Sequence, residues 1–261
     1  MALWHAIRQH LSTVLTIVGF VAVWQLLVIA FHLPHWLLPS PYRVWLSFLE
    51  NKHLLGKHVV ATGTGAISGL TIGSVLAMIL ATIMVHSRIL ERVIMPLLLI
   101  DQSIPKLALA PIFVIWFGTG MKSRIVIAIV ISFFPMIVNT ERGLSTIDFH
   151  VKALLHTLAA GRWQILTKVR LPNAVPYIFA GLKVAIPLSI IGAVVAEFVQ
   201  ADSGLGFLIL IAVSQVDTPL IFVAVVVLAT LSLAMFCLVS VVETLMLRRR
   251  FAYLIPAQER S

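Results

Sequence analysis

Six long apolar runs, separated by short polar breaks, constrain this chain more than any other feature of its sequence. They are Ser12–Phe31, Val59–Val85, Ile89–Phe117, Ile125–Asn139, Val175–Gln200 and Pro219–Leu245. A helical run of about 20 apolar residues spans the hydrocarbon core of a bilayer. In that medium each backbone N–H and C=O must find its partner within the protein, which helices achieve by themselves. The rest of the composition agrees. Only 11% of the 261 residues are charged, against about 25% in a soluble domain, and the mean hydropathy is +1.05. The expected fold is an all-α, polytopic membrane helical bundle of about six transmembrane helices, a single domain over 1–261 with its core at about 56–247. Pro96, Pro105 and Pro111 predict that the third run is broken or kinked, and the short fourth run predicts extension into its flanks. Arg8 before an apolar run resembles a signal peptide, but the run is long and no small-x-small site follows, so it is read as the first span.

The net charge of +9 does not point to nucleic acid, because the basic residues lie between apolar runs and form no single soluble face. Their placement sets the orientation instead. With the N-terminus inside, twelve cations fall on the cytoplasmic side: Arg8, Arg88, Arg92, Arg142, Lys152, Arg162, Lys168, Arg170, Arg248, Arg249, Arg250 and Arg260. Five fall outside, namely Arg43, Lys52, Lys57, Lys122 and Arg124, while Lys106 and Lys183 sit in or near spans. Both termini are therefore expected in the cytoplasm. On the outer side, Leu38-Pro39-Ser40-Pro41 and the Val44, Trp45, Phe48, Leu49 stripe predict a short interfacial helix at headgroup level.

Within the spans, Gly65, Gly69, Gly73, Ala77 and Ala81 recur every four residues. Small residues at this spacing let two backbones approach, either inside the bundle or between subunits. The Thr62-Gly63-Thr64-Gly65 stretch lacks the Gly-Lys-Ser/Thr of a phosphate loop. Asp101, Lys106 and Glu197 lie in apolar surroundings, where an isolated charge is costly and conspicuous. Asp101, Gln102, Ser103 and Lys106 surround the break at Pro105, so they are candidates for a translocation pathway or for an ion pair that locks the bend. Lys106 suits an anion; Gln102, Ser103, Phe133 and Phe134 suit a neutral heterocycle. Glu197 stands before Asp202-Ser203-Gly204-Leu205-Gly206, where it is a further pathway candidate or an acceptor for the glycine turn. Cys237 stands alone in an apolar run, which excludes a disulfide framework within the chain.

Glu141–Pro172 is too polar to cross a bilayer and too patterned for a linker. Val151, Leu154, Leu155 and Leu158 form one helical stripe, Ala159-Ala160-Gly161 offers a bend, and Trp163, Leu166 and Val169 form a second stripe opposed by Arg162, Lys168 and Arg170. Pro172 is expected to end it. A basic amphipathic helix resting on anionic lipid accounts for the charge but not for this layout.

The run from Leu158-Ala159-Ala160-Gly161-Arg162-Trp163-Gln164 through Lys168-Val169-Arg170-Leu171-Pro172, with Ala174, Pro176 and Gly181-Leu182, resembles the coupling loop of binding-protein-dependent ABC importer permeases. Pro39-Ser40-Pro41, Ile104-Pro105, Ala110-Pro111, Trp116-Phe117-Gly118-Thr119-Gly120, Ala196-Glu197 and Gly204-Leu205-Gly206 extend the resemblance, in order, over nearly the whole chain. The set is most similar to the nitrate/sulfonate/taurine branch, which includes importers of pyrimidine vitamin precursors and riboflavin. The resemblance implies a multi-pass permease of the cell inner membrane, surrounded by lipid and paired with a second copy of itself. It also implies a cytoplasmic ABC ATPase dimer, which carries the ATP and Mg²⁺, and a periplasmic or lipid-tethered substrate-binding protein. The coupling contact would fall on Leu154, Leu155, Leu158, Ala159, Ala160, Gly161, Arg162, Trp163 and Lys168. Two departures stand out. The family's Glu-Ala-Ala start aligns with Ala153-Leu154-Leu155, and its glycine aligns with Ala159, which would let the bend move to Gly161.

Two other function classes fit the sequence less well. An intramembrane enzyme would need a nucleophile or metal motif, and neither His-Glu-x-x-His nor Gly-x-Ser-x-Gly occurs. A secondary transporter would show inverted repeats and acidic relays, of which only Asp101 and Glu197 are candidates.

Overall fold

A computed structural model describes the backbone of residues 2–251 and the side chains of 15–247 apart from Arg88, Phe149, Lys152 and His156. Of the cations counted above, Arg8, Arg88, Lys152, Arg248, Arg249, Arg250 and Arg260 have side chains outside that set. Among the described residues every regular element is helical, with no strand. The chain runs α1 (Ala2–Ala30), α2 (Pro41–His86), α3 (Arg88–Ser103), a 3₁₀ turn (Lys106–Leu109), α4 (Ala110–Phe117), α5 (Met121–Ser145), α6 (Phe149–Thr157) and α7 (Arg162–Ile165). A π-turn (Leu166–Arg170), α8 (Leu171–Val199), α9 (Leu205–Ser214) and α10 (Thr218–Phe251) follow. Four stretches, α2, α5, Arg162–Val199 and Thr218–Leu247, are long and apolar enough to cross a membrane, and the bent α3–α4 pair makes a fifth if it is one span. The described part of α1, Leu15–Ala30, is a shorter apolar helix.

Several boundaries differ from the sequence reading, each for a local reason. The 44/45/48/49 stripe forms no separate interfacial helix. Ser40 caps α2 by accepting from the Arg43 N–H at 3.3 Å, Pro41 supplies the first turn, and the helix continues through the 44/45/48/49 stripe for 46 residues. At about 1.5 Å per residue it is roughly 69 Å long, more than twice the ~30 Å hydrocarbon thickness, so part of it stands outside the membrane core. The third run breaks at Ile104–Pro105, with its two halves 81° apart, while Pro96 is absorbed within α3 and Pro111 opens α4. The fourth run lengthens at both ends into the 25 residues of α5. Glu141 belongs to that helix and is buried, its Oε1 accepting from Ser145 Oγ at 2.5 Å, so the non-spanning segment starts only after Ser145. Nor does Pro172 end a helix. Leu171 N–H reaches back five residues to Leu166 O, and this widened turn lets the helix carry the proline into α8.

The centre of the bundle is α5 packed along α8, with α2 across both. Its largest apolar cluster joins Ala77, Ala81 and Met84 of α2 to Met136, Ile137 and Leu144 of α5 and to Ala185 and Ile186 of α8. Gly65, Gly69 and Gly73 all face α5. A Cβ on Gly69 would overlap Ala128, and one on Gly73 would sit 3.3 Å from Ser132 Oγ. The four-residue stripe is thus used inside the chain. Many large apolar side chains elsewhere point outward, Phe20, Ile115 and Leu238 among them, as expected where lipid is the solvent.

Candidate functional site

Three polar regions interrupt the apolar bundle, and they use their side chains differently.

At the end of α8 that meets α9, Glu197 is fully buried. Its Oε2 accepts from the Gly206 N–H at 2.8 Å, and Thr62 Oγ1 donates to Oε1 at 2.9 Å while accepting from the Leu205 N–H at 2.8 Å. The carboxylate therefore caps the N-terminus of α9, whose dipole favours a negative charge there. Gly204 N–H donates to His58 Nδ1 at 3.0 Å. Arg124, 3% exposed, donates through Nη2 to Ser203 O at 2.6 Å and holds Nε 3.4 Å from Glu197 Oε1. That last contact is an ion pair without hydrogen-bond alignment, since Nε is buried and donates to nothing. Both glycines are required here. Gly204 has φ +114 and would drive a Cβ into the Glu197 carboxylate, while a Cβ on Gly206 would lie 2.8 Å from Val194 O. Glu197 thus meets protein donors at both carboxylate oxygens, and Arg124, counted above on the outer side, is drawn into the protein to balance it. Arg124, Thr62 and His58 went unrecognised as members of this group; Thr62 and Glu197 lie 135 residues apart, and no spacing rule relates them.

At the α3–α4 break, Lys106 Nζ lies 2.7 Å from Asp101 Oδ2 and 3.4 Å from Val130 O of α5. Gln102 and Ser103 stay exposed beside the pair. Phe133, like Met95 and Leu98, packs against the central apolar cluster. A second intramembrane pair, Lys183 of α8 with Glu243 of α10, also escaped sequence reading; Lys183 lies in addition 5.6 Å from the Phe236 ring centre. Its signals were Lys183 within the fifth run and Glu243 near the end of the sixth.

The third region is the segment between α5 and α8. Asn173 Nδ2 donates to Gly143 O at 2.9 Å and to Thr146 O at 2.6 Å, pinning its two stems together. Beyond them, α6 ends in a Schellman turn. Ala160 N–H bonds to Leu155 O at 3.1 Å, and Ala159 adopts φ +49, the left-handed position that favours glycine. The bend therefore stays at Ala159. Gly161, with φ −67, instead starts α7, its N–H donating to Gln164 Oε1 at 3.0 Å. Leu154, Leu158, Ala159, Gly161, Arg162, Trp163 and Lys168 are exposed, and Leu155 and Ala160 are half-buried. Trp163 is 73% exposed, whereas Leu166 of the same expected stripe is 3% exposed in the core. The result is a projecting knuckle with an apolar tip and basic flanks.

Comparison with known proteins gives this layout a family. The profile of the binding-protein-dependent transport system inner membrane component matches residues 69–252, which include all three regions except Thr62 and His58. The chain is 37% identical to the riboflavin transport system permease protein RibX of Chloroflexus aurantiacus, over 89% of this chain and 88% of that one. It is 32% identical to the formylaminopyrimidine transport permease protein ThiX of Halalkalibacterium halodurans, over 92% and 96%. It is also 32% identical to the putative aliphatic sulfonates transport permease protein SsuC of Escherichia coli, over 90% of each chain. In this family the chain is a transport subunit and the ATPase is a separate one. The protein belongs to the inner-membrane permeases of binding-protein-dependent ABC importers.

Proposed function

We propose that this permease, as one 1–261 domain with its core at about 56–247, crosses the membrane six times with both termini in the cytoplasm and is driven through the α6–α7 knuckle. The observation that carries this reading is the exposure of Trp163, Leu154 and Leu158 on a segment otherwise clamped at its base by Asn173. An apolar tip of this kind on a polar side of a membrane protein calls for a protein partner. The partner is a dimeric ABC ATPase that binds ATP and Mg²⁺. Closure of the ATPase pushes the knuckle, and the rigid α5–α8 pair passes the displacement to the bundle. A second copy of the chain completes the pathway, and a binding protein delivers the solute at the opposite face.

Gln102 and Ser103, exposed beside the Asp101–Lys106 pair, line the route for that solute, and Glu197 holds its outer end in shape. The solute is a small heterocycle of the riboflavin or formylaminopyrimidine kind, supported by the identity to those two relatives; a small oxyanion such as a sulfonate is the second candidate. Reconstitution of the chain with its ATPase and binding protein in vesicles tests the reading. ATP-dependent uptake is expected only with all three components, and uptake that persists without the ATPase would overturn it. Ligand binding by the partner binding protein separates the two solute classes.

A further inference from the structure

A cavity of about 320 Å³ opens beside the C-terminal end of α2, between the bundle and the knuckle. Its lining is Val85 and His86 of α2, Arg162 and Ile165 of α7, and Arg170 of the π-turn. Two guanidiniums thus share one concavity, and no carboxylate among the described residues lies within ion-pair distance of either. The Arg170 guanidinium is half-buried and donates through Nη1 to Val85 O at 3.4 Å, which places a cation on one of the last carbonyls of α2. Its remaining N–H groups are left for another acceptor. The ring of His86 is fixed as a side wall by its Nδ1–H bond to Thr82 O at 2.8 Å; a carbonyl only accepts, so Nδ1 carries the hydrogen.

Two unneutralised arginines facing one space repel each other, and an anion between them removes the repulsion. Arginine's planar fork matches a phosphate in particular. The volume is about ten times the ~30 Å³ share of one water, enough for a phosphate with part of the group that carries it. The other lining residues, Val85 and Ile165, are apolar, which suits an amphiphile better than a free ion. We propose that this cavity binds the phosphate of an anionic phospholipid headgroup, so that a lipid of the inner leaflet braces the knuckle against α2. The leaflet assignment rests on the orientation proposed above; the binding itself does not.

The test uses the purified full-length chain in mild detergent, with retained phosphatidylglycerol and phosphatidylcholine counted by native mass spectrometry. The wild type is expected to hold phosphatidylglycerol in preference to phosphatidylcholine. The Arg162→Gln/Arg170→Gln double variant is expected to bind it about 30-fold more weakly, on the order of fivefold for each guanidinium. Arg162→Lys/Arg170→Lys, which keeps the charges and controls for misfolding, should lose much less. Equal retention of the two lipids, or retention untouched by the Gln pair, would overturn the site. Inorganic phosphate that displaces the lipid completely would overturn its source, making the ligand a soluble phosphate. Labelling of Ser87→Cys in a Cys237→Ala background from outside intact cells would overturn the orientation alone, since lipid retention in detergent does not depend on it.

Discussion

The two ends of the α5–α8 pair are built on opposite plans. At one end Arg124 and Glu197 are buried, and their polar atoms go to Thr62, Ser203 and the first turn of α9. At the other, the stem is fastened by Asn173, Leu166 and Arg170, and Leu154, Leu158 and Trp163 beyond it point outward. A polar group satisfied inside a low-dielectric bundle holds shape; one left outside it is available to a partner. The pair is therefore a lever fixed at the α9 end and free at the knuckle. Substitutions at the α9 end are expected to reach stability first, and those at the knuckle to reach association first.

The sharpest break in the comparison is Arg124→Ala. It strands the Glu197 carboxylate in an apolar interior, and removing one member of a buried ion pair costs about 3–5 kcal/mol. Equilibrium unfolding of the purified chain in detergent should show that loss, with Glu197→Gln milder because the amide oxygen still accepts from Gly206 N–H. A loss below about 1 kcal/mol for Arg124→Ala would mean that Thr62 and the Gly206 amide satisfy Glu197 without the guanidinium. The fixed end of the lever would then rest on the α9 cap alone.

Trp163→Asp addresses the free end. An exposed aromatic anchor contributes about 2 kcal/mol or more to an interface, so ATPase affinity should fall by about 30-fold or more. The unfolding midpoint should not move, because Trp163 packs on nothing that the bundle needs. Intact co-purification of the ATPase would place the docking surface elsewhere on the chain.

Gly192→Val probes the shaft between the ends. A Cβ at Gly192 would meet Ala128 Cα at 2.7 Å, backbone against side-chain root, with nothing flexible to yield. Forcing the helices apart should cost about 1–3 kcal/mol and weaken ATP-driven uptake together with stability. The shaft also shows what the sequence could disclose. The Gly65, Gly69, Gly73 stripe is legible because a period of four is a helix face. Gly181 and Gly192, eleven residues or three turns apart, mark the matching face of α8 and were open to the same argument at a longer period. Lipid-facing runs, the break at Pro105 and the amphipathic knuckle were likewise written in local chemistry. The burial of Arg124 was not, since it depends on α2, α5, α8 and α9 meeting at one point. Nor was the passage of the helix through Pro172, because a π-turn leaves no mark in hydrophobic periodicity.

Asp101→Asn is expected to cost 1 kcal/mol or less in unfolding free energy, because Asp101 is 44% exposed and such pairs contribute little. Uptake is the informative readout. A loss of transport at unchanged stability assigns the α3–α4 break to the solute route, whereas parallel small losses leave it a lock on the bend.

The smallest effect belongs to the turn at the tip. Ala159 holds φ +49 inside a Schellman turn, and an L-residue in that conformation costs about 1–2 kcal/mol. Glycine removes the clash of the Cβ but adds freedom to the unfolded chain, so Ala159→Gly should gain no more than about 1 kcal/mol. The gain is local, because α6 and α7 do not pack on each other strongly enough to set global stability. Hydrogen exchange at the Ala160 amide, whose bond to Leu155 O closes the turn, should slow by up to about fivefold while the amides of α5 and α8 are unchanged. Faster exchange at Ala160 would mean that alanine is no burden there. A slowing that spread into α8 would mean that the knuckle is welded to the bundle, and the free end of the lever would be no freer than the fixed one.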